Sequence, residues 1–119
     1  MPKVHVVTDS SANFISQRVV DRNPITILPN TLTVAGRHYR DGIDIGGEDA
    51  LNLIRQYPDA HRVQSPGVDA FVEVYAALSK THDAIISIHP SRELYPSWHH
   101  AKIAAQQIMG KCEVIVVDT

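Results

Sequence analysis

Apolar positions in this chain come in blocks that match alternating strands and helices. "KVHVVTDSS" (residues 3–11) begins as a β-branched run and stops at Asp9-Ser10-Ser11, a cluster suited to capping a helix. Phe14, Ile15, Val19 and Val20 then form one face of a short helix that Asn23-Pro24 would end. "ITILPNTLTVAGRHYRDG" (25–42) reads as extended, with Ala35-Gly36-Arg37 as a hairpin turn and Pro29 as a bulge or edge position. "GGEDALNLIRQY" (46–57) predicts a helix with Ala50, Leu51, Ile54 and Tyr57 on one face, and "HRVQSPG" (61–67) predicts a loop.

The clearest helical period follows, with Val68, Phe71, Val72, Tyr75 and Leu78 on one stripe. "DAIISI" (83–88) is a short buried strand. Beyond Trp98, Ala101, Ala105, Ile108 and Met109 predict an amphipathic helix with Gly110 as its cap, and "CEVIVVD" (112–118) closes as a strand. The order is strand, helix, hairpin, two helices, strand, helix, strand. It predicts an α/β fold whose parallel sheet carries a β-hairpin insertion and helices on both faces. Ligands of such sheets bind beyond the carboxyl ends of the strands. Three segments are expected there: Asp9-Ser10-Ser11, the 62–67 loop and "HPSRELYPSWHH" (89–100).

Composition narrows the picture. A chain of 119 residues with 44% hydrophobic and 20% charged residues suits one domain with a real core. A net charge of −2 without a basic stripe argues against nucleic acid as the partner. No apolar run approaches the roughly 18–20 residues of a membrane span. Cys112 stands alone, which excludes an internal disulfide and a cysteine-based zinc site and fits a reduced, cytoplasmic setting.

The candidate chemistry is sparse. Asp9 at a strand end has the place of a phosphoacceptor, but "DSS" supplies no second carboxylate for magnesium, so capping or loop fixing is the simpler role. His99 and His100 are adjacent, about 100° apart on a helix, and cannot share a metal as an i, i+4 pair would. His89 ends a strand at the expected binding edge and also suits a structural or solvent-facing role. Ser65, Ser91 and Ser97 could donate to an anionic head group or serve turns and caps. Tyr95 and Trp98 could wall an apolar pocket, with Pro96 as the first helical residue. No G-x-S-x-G, G-x-G-x-x-G or Walker A pattern occurs, so no catalytic set is assembled.

Five blocks taken together resemble the DegV family of bacterial fatty-acid-binding proteins, which includes the binding subunit of fatty-acid kinase. They are "VTDSSANF" (7–14), residues 25–42, "QSPGVDAFVEVY" (64–75), "DAIISIHPSRELYPSWHHAKIAA" (83–105) and "VIVVDT" (114–119). The resemblance implies the N-terminal α/β domain of a family whose second domain is absent here. It also implies a non-enzymatic lipid carrier without metal or cofactor, in which a fatty acid lies in a tunnel with its carboxyl group on hydroxyl side chains. A kinase partner would then act on that carboxylate.

The chain departs from the family at both head-group motifs. Val63-Gln64-Ser65-Pro66-Gly67 stands where relatives read Thr-Ser-Gln-Pro-Ser, and Leu94-Tyr95-Pro96-Ser97-Trp98 where they read Leu-Ser-Gly-Thr-Tyr. The family's threonine donor thus falls on Val63 and its serine donor on Tyr95. The expected lipid-contacting set is Ser10, Val63, Gln64, Ser65, His89, Tyr95, Ser97 and Trp98. Two alternatives accompany lipid binding. One is a structural module whose tunnel Tyr95 and Trp98 close; the other is phosphoryl transfer through Asp9. A domain with uncovered apolar surface would also tend to form a homodimer.

Overall fold

A computed structural model describes residues 3–12 and 17–119. The expected helical positions Phe14 and Ile15 lie outside these residues.

The β-branched run forms β1 (Val4–Asp9), and α1 (Gln17–Arg22) leads to β2 (Ile25–Leu28). Pro29 has no N–H for a ladder, and here the chain leaves the first sheet for a second one. β3 (Thr31–Val34) and β4 (Arg37–Arg40) form the expected hairpin. Its turn places Ala35 at φ 48° and Gly36 at φ 82°, the two positive angles of a turn that follows strand twist. After α2 (Gly47–Gln56) comes β5 (His61–Gln64), then α3 (Val68–Ser79), β6 (Ala84–His89), α4 (Ser97–Gln107) and β7 (Glu113–Asp118).

β2, β1, β6 and β7 form a parallel sheet in that order, and β4, β3 and β5 a small antiparallel one. The β1→β2 and β6→β7 steps run in opposite directions, so right-handed crossovers put α1 and α4 on opposite faces. Val7, Leu28, Phe71, Tyr75, Ile85, Ala101, Ala104 and Ile108 form the core between the parallel sheet and α3 with α4. Burying Phe71 and Tyr75, one turn apart on α3, contributes about 1.5–3 kcal/mol each. Ala101 and Ala104 let α4 approach closely.

Three sequence expectations need correction. Residues 61–64 form β5 and not a loop: all four side chains are exposed, so no burial pattern marks them, and backbone pairing with β3 makes the strand. The last apolar helix ends at Gln107; Met109 is outside it and 77% exposed, and Gly110 at φ 92° turns the chain toward β7. Pro96 caps α4 one position before its first helical residue. On the sheet face away from α3 and α4, Ile27, Ile88, Ile115 and Val117 are 36–47% exposed, with Thr8 between Ile27 and Ile88.

Two stability predictions follow. Ala35 is a non-glycine residue in the left-handed region beside Gly36, so Ala35→Asn should raise stability by about 0.5–1 kcal/mol, or about 2–5 °C in a thermal melt. An unchanged or lower midpoint would contradict the turn geometry. At the amino end of the parallel sheet, His5 and His82 stack edge to face with ring centroids 4.8 Å apart. Burial, and then the neighbouring His82, lower the His5 pKa from 6.5. A depressed base stays neutral in the fold, so its stabilisation is full above pH 6.5 and falls as pH drops below it. Urea titrations at pH 7.5 and 5.0 should show this loss, and His82→Gln should reduce it.

Candidate functional site

Parallel strands that end in register bring their last residues together. One step beyond the Thr8–Ile88 pair, Asp9 and His89 lie side by side at the carboxyl edge of the sheet, both side chains fully enclosed. His89 Nδ1 donates to Asp9 Oδ2 at 2.7 Å, since an ionised carboxylate can only accept. Its Nε2 then accepts from Ser87 Oγ at 2.7 Å, and Ser87 Oγ accepts from the Tyr75 hydroxyl at 2.6 Å. Phe71 closes the row with its ring edge to face with His89, 5.2 Å between centroids.

Asp9 Oδ1 accepts the Ser11 backbone N–H at 2.8 Å, which fixes the loop after β1. Burial pushes the Asp9 pKa up, but hydrogen bonds from His89 and Ser11, with the Ser97 hydroxyl adding to them, outweigh it and hold the carboxyl below its usual range. Tyr75 is pushed up to about 12 by burial, against its bond to Ser87, and remains a neutral donor.

Ser87, His89 and Asp9 repeat the hydrogen-bond order of a nucleophile–base–acid triad. Ser87, however, is wholly buried, already accepts from Tyr75, and lies inside a strand instead of on an exposed elbow. Asp9 is equally enclosed and has no open side for a transferred phosphoryl group. The chain of bonds fixes the sheet edge; it does not present a nucleophile.

The expected loops meet around it. Asp9 with His89 joins the first segment to the third. Ser65 with His100 joins the second to the third: His100 Nδ1 lies 2.8 Å from Ser65 Oγ and 2.9 Å from the Pro66 carbonyl. Ser10 Oγ accepts the Asn30 N–H at 2.8 Å, and Asn30 Nδ2 donates to Ser11 Oγ at 3.0 Å, pinning the second sheet to the first loop.

Tyr95 and Ser97 carry buried hydroxyl oxygens with no hydrogen-bond partner among the described residues. Ser97 is wholly buried and close enough to Asp9 to favour its ionised form without the geometry of a formed bond. Tyr95 is pushed up to about 12 by burial and then by Asp9 and Asp41, so its phenol also remains a donor.

The other expected residues are less central. Val63 is half exposed and lines an apolar hollow of about 290 Å³ with Leu32, Ala50, Leu51 and Ile54. Gln64 is exposed on β5. Trp98 is half-buried under the Arg92 guanidinium, 5.1 Å from its ring centroid. Two further cavities flank Pro29. One, of about 390 Å³, is lined by Leu28, Ser65, Ala70 and Val74; the other, of about 340 Å³, by Ser10, Ile27, Asp41 and Ile43.

Sequence reasoning missed the Asp9–His89 pairing and the roles of Tyr75, Ser87, Asn30 and Asp41. The available signal was an acidic residue and a histidine, each at the end of an apolar strand expected in a parallel sheet. His89→Ala should destabilise the domain by about 3–5 kcal/mol in chemical denaturation, because it strands a buried carboxylate and leaves Ser87 without its acceptor. A loss under about 1 kcal/mol would show that the pair does not hold the edge.

Comparison with known proteins agrees with this architecture. The model of the DegV family of uncharacterised proteins matches residues 3–119. A DegV domain-containing protein of Staphylococcus aureus strain N315 is 33% identical over 115 residues, 97% of this chain and 40% of the relative. A DegV domain-containing 15.5 kDa protein of S. aureus is 31% identical over 115 residues, and there the match spans 81% of the relative. This chain thus spans about 40% of the length of the larger relative. A fatty-acid-binding DegV family protein of Thermus thermophilus superposes with TM-score 0.83 at 27% identity, over 98% of this chain and 40% of its own. DegV of Bacillus subtilis, described as a fatty-acid-binding protein, shares the fold with TM-score 0.83 at 23% identity. The family match over nearly the whole chain, together with these relatives, makes this chain a member of the DegV family.

Proposed function

We propose that this chain is a non-catalytic acyl-ligand-binding domain whose ligand head group sits at Tyr95 and Ser97, beside Asp9. One observation carries the reading: in the segment that follows β6, the hydroxyl oxygens of Tyr95 and Ser97 are buried with no hydrogen-bond partner among the described residues. A buried hydroxyl without a partner costs about 1–3 kcal/mol, so such a pair suits a place that a ligand completes. The T. thermophilus relative, described as fatty-acid-binding, supports an acyl ligand.

In this reading Ser10, Ser65 and Gln64 lie around the mouth, His89 holds Asp9, and Val63 and Trp98 contribute apolar wall. The cavities flanking Pro29 fall within the size of small-ligand sites, about 300–1,000 Å³. The chain acts as the N-terminal α/β domain of the family pattern. Its acyl ligand is presented in the cytoplasm to a partner such as a fatty-acid kinase, and further polypeptide or a second copy of the chain completes the tunnel wall. No helix among the described residues is long and apolar enough to cross a membrane.

A second reading, a closed structural module, draws on the depth of Tyr95. Its phenol oxygen is buried where the family pattern places a shorter serine. Tyr95→Phe separates the two readings. If the hydroxyl serves a ligand, the variant is as stable as the parent or up to about 1 kcal/mol more stable, yet binds an acyl ligand about 2–10-fold more weakly. Native mass spectrometry of lipid-loaded protein and a thermal melt measure both. Equal stability with unchanged binding would remove Tyr95 from the site, and failure of the parent to take up any acyl ligand would favour the closed module.

A further inference from the structure

Among the described residues the two sheets have four outer strands, and these are not equally protected. An outer strand presents unpaired N–H and C=O groups that recruit another chain unless charge, proline or shortness prevents it. β2 is four residues long and stands between Pro24 and Pro29. β4 carries Arg37, His38 and Arg40, and β5 carries His61 and Arg62. β7 has none of these guards: it is six residues long, with Val114-Ile115-Val116-Val117 at its centre and acids only at its two ends.

The ladder shows which groups β7 offers. Glu113 N–H donates to the Asp83 carbonyl at 3.3 Å, and Thr119 N–H to the His89 carbonyl at 3.1 Å. Alternate residues of a parallel strand turn their backbone groups to opposite sides, so Val114, Val116 and Asp118 point theirs at the open edge. The side chains of Val114 and Val116 pack on the core, while Ile115 and Val117 stand on the other face, 47% and 38% exposed. Beside the start of β7 lies a hollow of about 570 Å³, lined by Lys102, Gln106, Met109, Lys111 and Val114.

From this edge we infer that β7 binds the β7 of a second copy, antiparallel about a two-fold axis at Ile115, joining two four-stranded sheets into one. An axis normal to the sheet keeps each side chain on its own face, as the pleat requires. Val114 of one copy then exchanges both backbone hydrogen bonds with Val116 of the other, and Ile115 covers Ile115. The same register carries Asp118 of each copy to Cys112 of the other, beside the hollow that Lys102 and Lys111 line. Centring the axis on Val116 would set Asp118 against the apolar Val114 instead. Arg92 engages Asp118 only at 3.7 Å, with both side chains partly exposed, so this carboxylate can turn to a lysine. A foreign strand would match the hydrogen bonds but not these charges, which favours a second copy. The contact stands independently of the acyl-binding reading.

Sedimentation velocity of the full chain over a micromolar concentration series tests it. The parent should sediment as a dimer. Ile115→Lys sets like charges together at the axis and should weaken dimerisation at least tenfold, with circular dichroism unchanged. Two cysteine variants test the register, each carrying Cys112→Ser so that no other thiol remains. Opposite residues of a non-hydrogen-bonded pair have Cα atoms about 4.5 Å apart, within disulfide reach, so Ile115→Cys should give a covalent dimer on mild oxidation. Val117→Cys, placed opposite Glu113, should not. A monomeric parent overturns the inference, and so does a dimer that Ile115→Lys leaves intact. Linkage of Val117→Cys as readily as Ile115→Cys overturns it too, and the cysteine pair decides alone if Ile115→Lys does not fold.

Discussion

The 2.7 Å hydrogen bond between His89 Nδ1 and Asp9 Oδ2 joins the ends of two neighbouring parallel strands inside an enclosure without water-facing surface. Each partner alone would be a buried polar group needing compensation, and only their pairing makes either tolerable. That pairing requires β1 and β6 to end level, which fixes the register that places Val7 and Ile85 in the core. It also requires the chain after Asp9 to turn at once so that Ser11 can donate back. Through Ser87 and Tyr75 the same bonds reach α3, so one helix is positioned by polar contacts as well as by burial. Fully satisfied networks of this kind specify one arrangement because every alternative leaves a member unpaired.

The carboxylate that secures this edge also sets the polarity of the space beside it. Asp9 cannot be neutralised without weakening the edge, so the neighbouring space is bordered by a carboxylate already engaged by His89 and Ser11. Tyr95 and Ser97 complete a donor–acceptor pattern, at a cost to the empty fold of about 1–3 kcal/mol for each unpartnered hydroxyl. Tyrosine at 95 is therefore a poor choice for stability alone: phenylalanine would fill a similar volume without an orphaned oxygen. The sheet edge is defined by a chain of paired groups, and the phenol beyond it has no partner among the described residues.

Most of the fold was legible because burial imposes periodicity. Phe71 and Tyr75 recur at one turn of α3, and Ile85 with its neighbours forms a continuous run in a sheet strand. The Ala35-Gly36 turn was legible because a tight hairpin demands positive φ. β5 was not, since His61, Arg62, Val63 and Gln64 are all exposed and only the partner backbone of β3 holds them extended. Sequence put His89 at the end of β6 and Tyr95 and Ser97 just beyond it, as the structure has them. It could not show that Asp9 and His89 bond, because that depends on two strands eighty residues apart ending level. Nor could it show Asn30 and Asp41 arriving from the second sheet, whose position follows from the break at Pro29.

Val63 and Tyr95, which stand where the family pattern has its threonine and serine donors, make one physical change and not two. A valine at 63 belongs with Leu32, Ala50 and Ile54, the apolar hollow between the small sheet and α2, so that stretch of wall no longer offers a donor. A tyrosine at 95 projects a hydroxyl further inward than serine would, carrying a donor toward Asp9 and Asp41. Together they move the boundary between polar and apolar lining away from β5 and toward the end of β1.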